Sequence, residues 1–141
     1  MRDIDIAKRL LKEGNLTLTI VKNGETLFES KSHGIIDLIN AIDIFGDRLS
    51  KASIADKIIG RAAALLITYA KMSCAYAEII SISGLKTLIE NNIHIEYDVM
   101  VPKILNRDGT DLCPFEKASQ TIQNPCEAYE KFKSMIIVNL E

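Results

Sequence analysis

A chain of 141 residues, 48% hydrophobic and 26% charged, has the composition of one globular domain. At that length it can bury roughly two thirds of the surface its unfolded form exposes, and disorder is excluded as its resting state. A formal charge of −2 gives phosphate backbones and anionic lipid no general attraction, so no nucleic-acid partner is expected. The longest strongly apolar run, 62–69, falls well short of the roughly 20 residues a membrane helix needs. With no signal peptide in the opening Met1-Arg2-Asp3-Ile4-Asp5, the expectation is a cytoplasmic protein without a membrane partner. Cys74, Cys113 and Cys126 are odd in number and far apart, as free thiols are and a disulfide framework is not.

In chain order, Ile4, Ala7, Leu10 and Leu11 recur at helical spacing and Gly14 follows as a stop, predicting a first amphipathic helix. The runs 16–21 and 26–31 are strand-like, and Asn23-Gly24 between them supplies the positive φ angles of a tight hairpin turn. Ile35, Leu38, Ile39 and Ile42 share one face of a second helix that ends at Gly46. Ser53 followed by Asp56 resembles a capping box, so a third helix is expected from Ser53, apolar nearly all round from Ile58 to Ile67 and therefore buried. A strand over 75–81, a helix over 83–91 and a strand over 93–101 have the rhythm of a βαβ crossover. A loop over 102–112 then leads to two helices that begin at Pro114 and Pro125. The expected architecture is one α/β domain spanning 1–141: a mixed central sheet, with an N-terminal β-hairpin at one side and helices packed upon it.

That element order, the segment Ser53-Ile54-Ala55-Asp56-Lys57-Ile58-Ile59-Gly60-Arg61-Ala62-Ala63-Ala64 and the later Asn106-Arg107-Asp108-Gly109-Thr110-Asp111-Leu112-Cys113-Pro114-Phe115-Glu116 resemble a small uncharacterised prokaryotic family, a domain of unknown function. The resemblance implies a cytidine-deaminase-like sandwich and a link to iron regulation, with no established reaction. Zinc deaminases carry a His or Cys followed by Ala-Glu at one helix start and Pro-Cys-x-x-Cys at the next, which together supply three metal ligands and a proton shuttle. Here Gly60-Arg61-Ala62 and Ser83-Gly84-Leu85-Lys86-Thr87 stand in those places. The fold can be shared without the chemistry, so neither a metal site nor a cofactor is expected.

Cys113 precedes Pro114, which places its thiol at a helix N-cap where unpaired N–H groups stabilise a thiolate. Glu116 lies three residues on and can close a cap or act on a bound group. Asp108 and Asp111 oppose thiolate formation, and a plain polar cap is the competing reading. Lys57 and Arg61, read as four apart on one helix with Asp56 beside them, are either ordinary salt-bridge partners or an anion site at the helix start. Gly60 and Ala64 read as a close-packing face. His33 and His94 have no helical partner at metal spacing and are read as surface residues, while Cys126 packs or faces solvent after the cap Asn124.

Two functions follow. The favoured one is a non-catalytic small-ligand-binding or regulatory domain; the alternative is a zinc-independent enzyme using Cys113 and Glu116 on a small polar substrate. Ligands gather where helix starts meet beyond strand ends, so Asp56, Lys57, Arg61, Cys113 and Glu116 are expected to line one pocket for a small polar or anionic molecule, with Asn106 and Asp108 as further candidates. Homo-oligomerisation remains open.

Overall fold

The computed structural model describes residues 1–32 and 34–140, so the expected surface position of His33 falls outside the described residues. The first helix, α1 (Asp3–Glu13), is followed by the hairpin strands β1 (Leu18–Lys22) and β2 (Glu25–Ser30). Asn23 and Gly24 turn the hairpin at φ 53° and 81°, conformations open to asparagine and glycine. The Asp3 carboxylate accepts from both turn amides, at 2.8 and 2.9 Å, which ties the start of α1 to the hairpin tip.

Next come α2 (Ile35–Phe45), a 3-10 turn at Gly46–Leu49, β3 (Ser53–Ile59) and α3 (Arg61–Tyr69). They are followed by β4 (Cys74–Ser81), α4 (Ile82–Glu90), β5 (His94–Val101), α5 (Pro114–Ser119) and α6 (Pro125–Leu140). The five strands form one mixed sheet in the order β2-β1-β3-β4-β5. β1 is antiparallel to β2 and to β3, whereas β3, β4 and β5 are parallel.

One face of the sheet is covered by α1, whose Ile4, Ala7 and Leu11 pack with Val21, Ala55 and Tyr76. The other carries the larger core, where Leu38, Leu66, Leu88 and Phe132 come from α2, α3, α4 and α6. The result is an α/β sandwich in three layers, with residues 62–67 of α3 buried because the helix lies between the sheet and other helices.

One sequence expectation is overturned. Ser53 starts a strand instead of capping a helix, so Asp56 and Lys57 belong to β3 and Arg61 alone begins the helix. β3 is a central strand, flanked by β1 and β4, and it carries an apolar run that enters α3 through the single residue Gly60. A buried strand and a buried helix joined that closely read as one continuous apolar segment. The small-residue reading of Gly60 survives, with a more specific cause given below.

Candidate functional site

The parallel strands deliver their carboxyl ends to one side of the sheet, where α3 follows β3 after one residue and α4 follows β4 directly. The two helix starts therefore abut. A Cβ on Gly84 would lie 2.9 Å from the Gly60 carbonyl carbon, closer than packed atoms stand. Ser81 caps α4, its hydroxyl accepting from the Gly84 amide at 3.0 Å.

No residue of its own segment caps α3. Glu116, reaching over from α5, does so with both carboxylate oxygens: Oε2 accepts from Arg61 N at 3.0 Å and Oε1 from Ala62 N at 2.9 Å. A Cβ on Gly60 would stand 2.1 Å from Oε1, so the glycine leaves room for the carboxylate in this position, while its extended backbone asks for no glycine. Burial raises the Glu116 carboxyl above its ordinary range, and the Ala62 and Arg61 amides and the Arg61 guanidinium pull it back. The anion that the start of α3 attracts is thus part of the protein.

The Arg61 guanidinium turns to the far end of α5, donating to the Ser119 carbonyl and, at 3.0 Å, to the Ile122 carbonyl. One arginine so fixes α5, which in turn presents Glu116. Beside this assembly lies a cleft of about 340 Å³, with Arg61, Ser81, Ser83, Lys103, Glu116 and Gln120 among its walls. Ser83, Lys103 and Gln120 are exposed, while Ser81 and Glu116 are buried.

Of the residues proposed from sequence, Arg61 and Glu116 meet in this cleft. Cys113 lies one helical turn before Glu116, since the Lys117 amide donates to its carbonyl at 2.9 Å, but it is not among the cleft walls. Its half-buried sulfur makes no cap hydrogen bond to α5. Asn106 accepts from the Thr110 amide through its side chain at 3.1 Å, which shapes the loop, and Asp108 is exposed; neither lines the cleft.

Asp56 and Lys57 do not reach it either, because both belong to β3 and not to the helix start. Asp56 faces a different group: desolvation pushes its carboxyl up to about 7, and the nearby Asp37, which accepts from the Ser30 hydroxyl at 2.6 Å, adds to the rise. Sequence reasoning missed Ser81, Ser83, Lys103 and Gln120. Ser81 was within reach, since it closes the strand expected over 75–81 and ligands collect beyond strand ends. His94 was read as lacking metal partners, yet Cys74 and Glu96 stand beside it.

No curated protein matches the chain. The crystal structure of a DUF1893 family protein, TM1506 from Thermotoga maritima, is similar over 94% of this chain and 89% of its own, with 29% identity and a TM-score of 0.86. A diaminohydroxyphosphoribosylaminopyrimidine deaminase/5-amino-6-(5-phosphoribosylamino)uracil reductase from Thermotoga maritima aligns over 82% of this chain and 39% of its own, at 14% identity and a TM-score of 0.49. The iron connection implied by the sequence resemblance has no counterpart in these descriptions. The model of a family described as a domain of unknown function, DUF1893, matches residues 6–136, and the chain belongs to that family.

Proposed function

We propose that this protein is a non-catalytic small-ligand-binding or regulatory domain, and that its ligand is a small polar or anionic molecule held in the cleft beyond β4 and β5. The observation that carries this reading is the combination of a buried carboxylate already engaged at α3 with exposed hydroxyl, ammonium and carboxamide groups at Ser83, Lys103 and Gln120. Glu116 makes the cleft by holding α3 and α5 together, and the exposed groups supply the recognition. Such a set orients a ligand through hydrogen bonds and one positive charge. Among the described residues, those lining the cleft include no thiol and no imidazole, so the deaminase metal set has no equivalent there.

Titration of 15N-labelled protein with inorganic phosphate and with cytidine monophosphate tests this. The expected result is shifts at the amides of 81–84, 103–104 and 119–120, weakened by Lys103→Ala, with no uridine monophosphate formed. Shifts confined to other regions, or turnover of the nucleotide, contradict the reading. The alternative, an enzyme built on Cys113, is separated by iodoacetamide. Equal alkylation of Cys113 and the exposed Cys126 favours the binding domain, and much faster reaction at Cys113 favours the enzyme.

Self-association fits the same reading. Ile58, Ile79 and Val99 are register partners across β3, β4 and β5, and all three are exposed. An apolar row of this kind is suited to a second copy. Light scattering of the wild type and of Ile79→Glu tests it, with a dimer expected only for the wild type.

A further inference from the structure

We propose that Cys74, His94 and Glu96 form a binding site for a borderline-soft divalent cation of the zinc class, at the amino ends of β4 and β5 and remote from the cleft. Parallel pairing sets Cys74 directly opposite His94. Strand alternation then puts Glu96, two residues on, on the same face as His94. One ligand atom from each residue lies within 4.8 Å of the other two, and His94 Nε2 is 3.0 Å from Glu96 Oε2.

Metal–sulfur bonds near 2.3 Å and metal–nitrogen or metal–oxygen bonds near 2.0–2.1 Å place tetrahedral donors about 3.3–3.6 Å apart. The three groups need only side-chain rotation to reach that spacing, and the exposed imidazole of His94 is free to make it. A thiolate, an imidazole and a carboxylate together select zinc-like ions over magnesium or calcium, which take oxygen donors. Three protein ligands leave a fourth position for water or an external group.

Two cations already attend Glu96: Arg2 Nη2 at 3.3 Å from Oε2 and Lys8 Nζ at 4.0 Å from Oε1. Arg2 has an alternative partner in Asp5, which it holds at 3.0 and 3.1 Å, so a metal ion can replace it at Glu96 without leaving the guanidinium unpaired. On binding, the Cys74 thiol gives its proton to solvent, and a sulfur lone pair forms the bond to the metal. The thiolate and carboxylate then balance the charge of the ion.

The site is tested by titrating the full chain with Co2+, whose thiolate charge-transfer absorption reports a sulfur ligand directly. The expected result is one equivalent of tetrahedral cobalt with that absorption, displaced by Zn2+, retained in Cys113→Ser and lost in Cys74→Ser. His94→Gln and Glu96→Gln should each weaken binding by about tenfold or more. His94 is exposed and Glu96 only partly buried, so these variants keep the test valid should Cys74→Ser fold poorly. An absence of charge-transfer absorption in the wild type at excess cobalt overturns the proposal, as does full affinity in both His94→Gln and Glu96→Gln.

Discussion

Replacing Gly60 by alanine puts a methyl group where Glu116 Oε1 now sits, 2.1 Å from the new carbon. The backbone at Gly60 is extended, so alanine is conformationally allowed there and the whole effect is steric. The methyl must expel the carboxylate from the amides of Arg61 and Ala62. Each hydrogen bond to a charged group contributes about 1.5–3 kcal/mol, and water entering from the cleft restores part of that. Burial already raises the Glu116 carboxyl, which holds the net loss to the low end. The expected cost is about 3 kcal/mol for Gly60→Ala and slightly less for Glu116→Ala, where no displaced charge remains. In the double variant the methyl meets no carboxylate, so its stability should match Glu116→Ala alone and exceed that of Gly60→Ala. Urea unfolding of the four proteins gives the coupling directly. Independent sites add to within about 0.5 kcal/mol, so costs that simply sum in the double variant would refute the steric account.

Asp56→Asn should stabilise the protein in a pH-dependent way. A carboxyl raised from its ordinary 3.8 to about 7 in the fold favours folding while protonated; that contribution is fully present below about pH 4 and is lost progressively as pH rises from there to about 7. Thermal melts at pH 8 should therefore favour the asparagine variant by about 2–4 kcal/mol, whereas at pH 4 the two proteins should nearly coincide; an equal difference at both pH values contradicts the assignment. Arg61→Met removes both guanidinium contacts to the Ser119 and Ile122 carbonyls, and should cost about 2 kcal/mol and speed proteolysis between residues 113 and 124. Unchanged cleavage would show that α5 is held by other contacts. Phe132→Ala deletes a fully buried ring packed edge-on against Phe115, for an expected loss of about 3–5 kcal/mol in urea unfolding; a loss under about 1 kcal/mol would place α6 outside the cooperative core.

Local chemistry was enough to read much of this protein from its residues. Asn23-Gly24 specifies its hairpin turn because few residue pairs accept two positive φ angles. The period of Ile4, Ala7 and Leu11 specifies one buried face of α1, and the prolines at 114 and 125 mark helix starts because their fixed φ suits a first helical position. Arg61 and Glu116 could be named as candidates on their chemistry alone. Their relationship could not: they lie 55 positions apart, and only the packing of α5 over the start of α3 turns Glu116 into a cap and Gly60 into the space for it. The boundary between β3 and α3 was hidden for a related reason, since burial on every side erases the polar alternation that distinguishes a strand from a helix. Cys74 and His94 show the same division, because parallel strand register makes them neighbours across twenty residues of sequence. Sequence determines what each short segment prefers and which side chains carry chemistry; tertiary structure decides which of those side chains meet, because strand register and helix packing join residues that no local pattern connects.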